Sequence, residues 1–337
     1  MKYKHMNKNL IAIIGGLILA SVLLLSNSFA YNNKTTHPDL TREIISFYEL
    51  SIGKKFTDEQ KQWIIQGSID EDLAPRWLNH FYDPVFERGF QAENIGISGY
   101  LAKNWAQYSS YQTINPANIG NLWSGNGPVV SGSWWGDFSY EAGIKYYSKD
   151  QEKEAYLSLG HILHLIEDMT VPEHTRNDPH PGGDMPSYYE NWTKDNSSGL
   201  TQDLGKRIYN QGNKPVIYAD LEAYFNNLAT YTNTHFFSPR TINSELYQKP
   251  KIVFEDGTFA YGRDENGQLF DLATIEIERK SGNKDYLVKN VQILQEYWLR
   301  LSRQAMVNGA GVIELFLNQA EAARQVELAK QKVDAQQ

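Results

Sequence analysis

The chain has 337 residues, 32 lysines and arginines against 40 aspartates and glutamates, a formal net charge of −8, and no cysteine. Such an acidic chain has no global field drawing it onto nucleic acid or anionic lipid, so any phosphate it handles must be held by a local site such as a metal cluster. The lack of cysteine excludes disulfide support and lipoprotein acylation, leaving stability to the core and to any bound metal.

Residues 1–30 open with Lys2, Lys4 and Lys8, continue as an apolar run from Leu10 to Leu25, and end in Ser26-Asn27-Ser28-Phe29-Ala30. This is the pattern of a secretory signal cleaved after Ala30, which predicts a secreted or periplasmic mature chain beginning at Tyr31. An uncleaved anchor is the alternative, although the run is shorter than the roughly 20 residues a spanning helix needs.

Helical periodicity with a polar start runs from Asp39 to Tyr48, and a second helix is expected over Thr57–Ile69, where Thr57-Asp58-Glu59-Gln60 has the form of a capped first turn. Residues 115–138, rich in Gly, Asn, Ser and Trp, read as a long ordered loop. Tyr140 to Ile166 is helical with a break near Ser148-Lys149-Asp150, residues 175–187 are a loop, and Tyr218 to Tyr231 is helical again. Between Lys251 and Arg279 the pattern turns to β, with hairpin signals at Asp256-Gly257 and Asn266-Gly267. Asp285 to Gln319 is expected as a helix with Val291, Leu294, Trp298, Leu301, Met306, Ile313 and Phe316 in the core, and residues 321–337 as a polar helical or disordered tail. The fold class is therefore mainly α, one domain over residues 31–320 with a small inserted β-meander at 251–279.

The chemistry concentrates in Gly160-His161-Ile162-Leu163-His164-Leu165-Ile166-Glu167-Asp168-Met169-Thr170-Val171-Pro172-Glu173-His174. His164 and Asp168 are four apart, so on a helix they project from one face and can grip a single cation. Pro172 ends that helix, and the turn brings His174 back toward it, where it can ligate a second ion. A histidine in a core is commonly just hydrogen-bonded, but three such groups in an apolar run call for a cation, because unpaired charges are rarely buried.

Six segments in chain order, this one among them, resemble the zinc-dependent phospholipase C family, which shares a fold with secreted single-strand-specific zinc nucleases. They are His37 ahead of a helix, Gly67 to Asp72, the unbroken His80-Phe81-Tyr82-Asp83-Pro84, the His164/Asp168 pair with His174, Tyr189-Glu190-Asn191, and Asn308-Gly309-Ala310-Gly311-Val312-Ile313-Glu314-Leu315-Phe316. The resemblance implies a phospholipase C/nuclease-type multi-helix domain carrying two or three zinc ions. It implies that Asp72, His80, His164 and Asp168 hold one zinc, with Asp168 bridging to a second held by His37 and the free N-terminus of Tyr31. His174 and Glu190 belong to the third. A water between the ions, with its pKa lowered to about 7, would attack phosphorus in line, and Asp72 would orient or deprotonate it.

Two positions depart from the family. Pro186 stands where a histidine completes the third metal site, with His180 and Asp184 as substitutes in the same loop, and Tyr31 replaces the family's N-terminal tryptophan. His161, one turn before His164, reads more simply as a packed, hydrogen-bonded histidine than as a ligand. Trp77 is either a cation–π face for a choline headgroup or core, and Leu73 leaves such a cage incomplete. Trp134-Trp135 either touches a membrane interface transiently or folds back.

The expectation is a secreted zinc-dependent phosphodiesterase acting on phospholipid headgroups. The alternatives are a zinc nuclease acting on single strands and a non-catalytic binding protein with a partly lost metal site. No stable nucleic-acid partner is expected of this acidic chain.

Overall fold

The computed structural model describes residues 35–73, 76–92, 97–112, 136–179, 187–277, 282 and 284–336. The expected signal at 1–30, Tyr31, Trp134-Trp135, most of the expected loop at 115–138, and His180, Asp184 and Pro186 all lie outside the described residues.

Among the described residues the chain forms eleven α-helices and two small antiparallel sheets. Helix α1 (Thr36–Ile52) is followed by α2 (Asp58–Glu71), which starts at a reciprocal cap: the Thr57 hydroxyl accepts from the Gln60 N–H, and the Gln60 side chain accepts from the Thr57 N–H. A 3-10 turn (Arg76–Asn79), a two-stranded ribbon of β1 (Gln91–Ala92) and β2 (Ile97–Ser98), and two short helices, α3 (Ala102–Gln107) and α4 (Ser109–Gln112), come next. Helices α5 (Tyr140–Ser148) and α6 (Glu152–Asp168) are separated where the sequence places a break, with Asp150 in a left-handed conformation. Pro172 does not itself stop α6, which ends at Asp168; it opens the single-turn helix α7 (Pro172–Thr175), where its missing N–H costs nothing.

Helices α8 (Tyr188–Thr201), α9 (Leu204–Asn210) and α10 (Leu221–His235) lead into the larger sheet. Its four strands pair antiparallel in sequence order: β3 (Phe254–Glu255), β4 (Phe259–Arg263), β5 (Leu269–Ile277) and β6 (Lys284–Leu287). Gly257 and Gly267 adopt positive φ in the two turns that the Asp-Gly and Asn-Gly pairs predict. Asp285 falls in β6 and not in a helix, because the outer edge of β5 pairs with residues 284–287; the final helix starts only after the Asn290 side chain caps the N–H of Gln292.

That helix, α11 (Val291–Asp334), is buried on its core face as far as Ala320 and packs against α1, α5 and α6. Beyond Ala320 it is largely solvent-exposed, with Arg324 reaching Asp150 at 2.7 Å beside α5. One apolar core joins α1, α2, α6, α10, α11 and the inner face of the sheet. Among the described residues no helix is long and apolar enough to cross a membrane.

The crossing of α2 on α6 positions the site. Gly67 and Gly160 meet there: a Cβ on Gly67 would stand 2.1 Å from the Leu157 carbonyl oxygen, and one on Gly160 would stand 2.0 Å from that of Ile64. The two backbones touch, which sets the C-terminal end of α2 beside the last turn of α6.

Candidate metal centre

Six elements deliver side chains to one buried point. Helix α1 contributes His37, the end of α2 contributes Asp72, and the segment after the 3-10 turn contributes His80. The last turns of α6 supply His164 and Asp168, α7 supplies His174, and α8 supplies Glu190 in its first turn, where the Ser187 hydroxyl accepts the Glu190 N–H at 3.1 Å. Ser187 also donates to Glu173 Oε1 at 2.9 Å, which ties the start of α8 to α7.

Asp168 is the hub. Its Oδ2 lies 3.0 Å from His80 Nδ1 and 3.4 Å from His164 Nε2, while Oδ1 lies 3.3 Å from His174 Nδ1 and 3.5 Å from His37 Nε2. Asp72 Oδ1 is 3.7 Å from His164 Nε2 and 3.8 Å from His80 Nδ1, and His174 Nε2 is 3.3 Å from Glu190 Oε1. The rings of His37 and His164 stack with centroids 3.6 Å apart. Two sets of three donors lie within 4.8 Å of one another: His37 with His164 and Asp168, and Asp72 with His80 and His164. The structure thus brings His37, Asp72, His80, His164, Asp168, His174 and Glu190 together.

The donors suit a divalent cation. Three imidazoles turn one nitrogen outward onto an oxygen: His37 Nδ1 to Glu167 Oε2 at 2.6 Å, His164 Nδ1 to the Ser68 carbonyl at 2.7 Å, and His80 Nε2 to the Glu71 carbonyl at 3.3 Å. A carbonyl can only accept, so Ser68 and Glu71 place the outer N–H on His164 and His80 and leave the other ring nitrogen facing inward, the arrangement of metal-ligating histidines. Among the described residues, both Asp168 oxygens, His80 Nδ1 and His164 Nε2 are buried without a hydrogen bond. Buried polar atoms in such a state are costly, and a cation between them removes the cost.

The charges on these groups follow from burial and mutual field. Burial would raise Asp168, yet His174, His164 and His80 hold it well below the usual carboxylate range. Burial would lower His80, but Asp168 raises it to about 10; His174 is raised for the same reasons. Burial and the neighbouring His164 keep His37 well below the usual imidazole range. Asp72 is pushed up to about 6 by burial, against the opposing pull of His164 and His80. At 9% exposure its side chain is the most accessible of the seven.

Glu167 and Glu71 support the cluster although neither was singled out in the sequence. Glu167 accepts from Thr41 Oγ1 at 2.7 Å as well as meeting His37, and burial raises it well above the ordinary carboxylate range. Glu71 receives Arg76 Nε at 2.7 Å, Trp105 Nε1 at 2.7 Å and His161 Nδ1 at 2.5 Å, while its carbonyl meets His80. Burial would raise Glu71, but Arg76 holds it well below its usual value. His161 is therefore part of this buried network, stacked on Phe138, and burial with the nearby Arg76 lowers it to about 4. The signal that could have found both glutamates is a carboxylate next to apolar core positions on a helix, with no room to reach water.

The His80-Phe81-Tyr82-Asp83-Pro84 segment has a structural share as well. Phe81 stacks on His174 with centroids 4.4 Å apart, the Tyr82 N–H donates to the His174 carbonyl, and Asp83 accepts from Tyr247 at 2.6 Å and Arg88 at 3.1 Å. Trp77 is 4% exposed and edge-on to Phe90, so the ring as placed offers no open face to a choline.

Compared with known proteins, the chain matches no family model and no curated sequence. Six solved chains resemble it, one of them "Alpha Toxin from Clostridium Absonum", at 13% identity over 76% of this chain and 82% of that one with a TM-score of 0.31. A TM-score that low carries no argument about chemistry, and what the geometry itself supplies is a buried histidine and carboxylate cluster able to hold metal ions.

Proposed function

We propose that the chain is a secreted or periplasmic zinc-dependent phosphodiesterase that hydrolyses phospholipid headgroup phosphodiesters. The observation that carries the reading is the convergence of four imidazoles on the two oxygens of one buried carboxylate, Asp168, with three of the rings locked from outside by Glu167, Ser68 and Glu71. Neutral imidazole with carboxylate is a donor set that zinc takes readily, and a carboxylate with both oxygens engaged can serve two ions.

Asp72, His80, His164 and Asp168 would hold one ion, and the second Asp168 oxygen would reach another beside His37. His174 and Glu190 are donors toward a third. When bound, zinc supplies an acidified water and withdraws charge from the phosphate. The chain's residues do the rest. Asp72, at the accessible edge, would take the proton as the water oxygen attacks phosphorus in line, and would return it to the ester oxygen as the P–O bond breaks and the alcohol leaves. Asp168 and the four histidines fix the relative position of the ions, so little reorganisation is needed as charge builds on the phosphate.

The test is hydrolysis of short-chain phosphatidylcholine micelles by the zinc-loaded chain, with single-stranded DNA as the competing substrate. Faster cleavage of DNA would replace this reading with a nuclease, and cleavage of neither by fully loaded protein would favour a non-catalytic metal-binding protein.

A further inference from the structure

Outside the metal cluster, three cations without an ion pair among the described residues line one cavity. A cavity of about 320 Å³ opens between the end of α10, residues 248–253 and strand β4, lined by Thr234, His235, Gln248, Lys249, Lys251 and Arg263. Among the described residues no carboxylate lines it, in a chain whose carboxylates outnumber its lysines and arginines.

Other cations nearby in the fold are answered by carboxylates, Lys284 by Glu255, Arg300 by Asp264 and Arg303 by Glu265. Among the described residues Lys249, Lys251 and Arg263 make no ion pair. Lys249 Nζ lies 5.7 Å above the Tyr286 ring, and Arg263 gives one N–H to the Gly267 carbonyl, which leaves the rest of its fork unused. His235 is held by the Tyr231 carbonyl at 2.9 Å and stacks on the Tyr231 ring. The three cations are exposed and line the same cavity, so a multiply charged anion placed between them would be attracted by all three.

We infer that this cavity is an anion site, separate from the metal cluster, that takes a small phosphate monoester, either free or displayed as a lipid headgroup. Two ammonium groups and a guanidinium fork are the side chains suited to a dianionic phosphate, and Thr234 and Gln248 add neutral donors. The volume lies at the lower end of the roughly 300–1,000 Å³ typical of small-ligand sites, which suits one headgroup. Val253 lines the same cavity and is 37% exposed, and the adjoining Phe254 is 55% exposed, so apolar surface is available beside the charge.

The experiment titrates sn-glycerol 3-phosphate into the full mature chain by calorimetry, with and without 1,10-phenanthroline, a neutral chelator that strips zinc without adding an anion. The expected result is saturable binding that persists in phenanthroline and weakens at least about tenfold in the Lys249→Gln/Lys251→Gln double variant, with Arg263→Gln acting in the same direction. Co-sedimentation with phosphatidylcholine vesicles, with and without phosphatidic acid, distinguishes the sources: pelleting only with phosphatidic acid identifies a lipid headgroup, and calorimetric binding without pelleting identifies a soluble ligand. Absence of saturable binding, equal binding by the double variant, or loss of binding in phenanthroline would each overturn the assignment. Because the zinc-free arm is read separately, failure here is distinguishable from failure of the phosphodiesterase reading.

Discussion

The carboxylate of Glu167 meets His37 Nδ1 at 2.6 Å across 130 residues of sequence. It thereby turns His37 Nε2 toward Asp168, the residue next to Glu167 on the same helix. One turn of α6 thus carries both a carboxylate that faces four imidazoles and one that orients a histidine of another helix. Glu167→Gln should keep the fold and lower zinc affinity by about 10–100-fold, the usual effect of losing an outer partner. Competition against a fluorescent zinc chelator reads this directly, and unchanged affinity would reduce Glu167 to a satisfied core polar group.

Asp168 and Asp72 should fail in different ways. Asp168→Asn removes charge from the carboxylate that four imidazoles face, so metal and turnover should be lost together. Asp72→Asn leaves those donors in place and removes the proton acceptor at the edge, so kcat should fall by about 10²–10⁴-fold while most metal is retained. Equal metal loss in the two variants would assign Asp72 to structure and not to proton transfer.

Without zinc, the cluster makes stability depend on pH with a definite sign. His80 is raised from 6.5 to about 10 when folded, so its contribution is complete below about pH 6.5 and is lost as pH rises toward 10. Asp72, raised from 3.8 to about 6, acts in the same direction at lower pH. The zinc-free protein should therefore show a falling melting temperature between pH 6.5 and 10, and zinc uptake in that range should release protons because the imidazoles must be neutral to bind. A melting temperature that rises across the window, or zinc uptake without proton release, would contradict the charge state described.

The glycine crossing should be intolerant of a single methyl. Gly67→Ala or Gly160→Ala places a Cβ against a backbone oxygen that cannot retreat unless α2 and α6 separate, and overpacking of this kind costs about 1–3 kcal/mol. Urea midpoints measure the loss, and zinc affinity should fall with it because the crossing carries Asp72 toward His164.

How much of this was legible in the sequence depended on the range of each signal. The His164/Asp168 spacing, the Thr57 cap, the break at Asp150 and the turns at Gly257 and Gly267 are local, and the structure forms each of them. Glu71 and Glu167 were missed because their partners stand far away in sequence: 90 residues to His161 and 130 to His37. Asp285 to Leu287 was read as helix because its apolar spacing runs smoothly into Val291 and Leu294; only pairing with the edge of β5 makes it a strand. The close approach at Gly67 and Gly160 has no local signature either, since each glycine alone reads as a weak helix position.

Zinc content of the purified chain tests the central claim most directly. Mass-spectrometric metal analysis of protein purified without chelators and with zinc supplied should find at least two equivalents per chain, because the two oxygens of Asp168 face four imidazoles and a carboxylate can serve two ions. Less than one equivalent of any transition metal, in protein whose fold is intact by circular dichroism, would contradict the account.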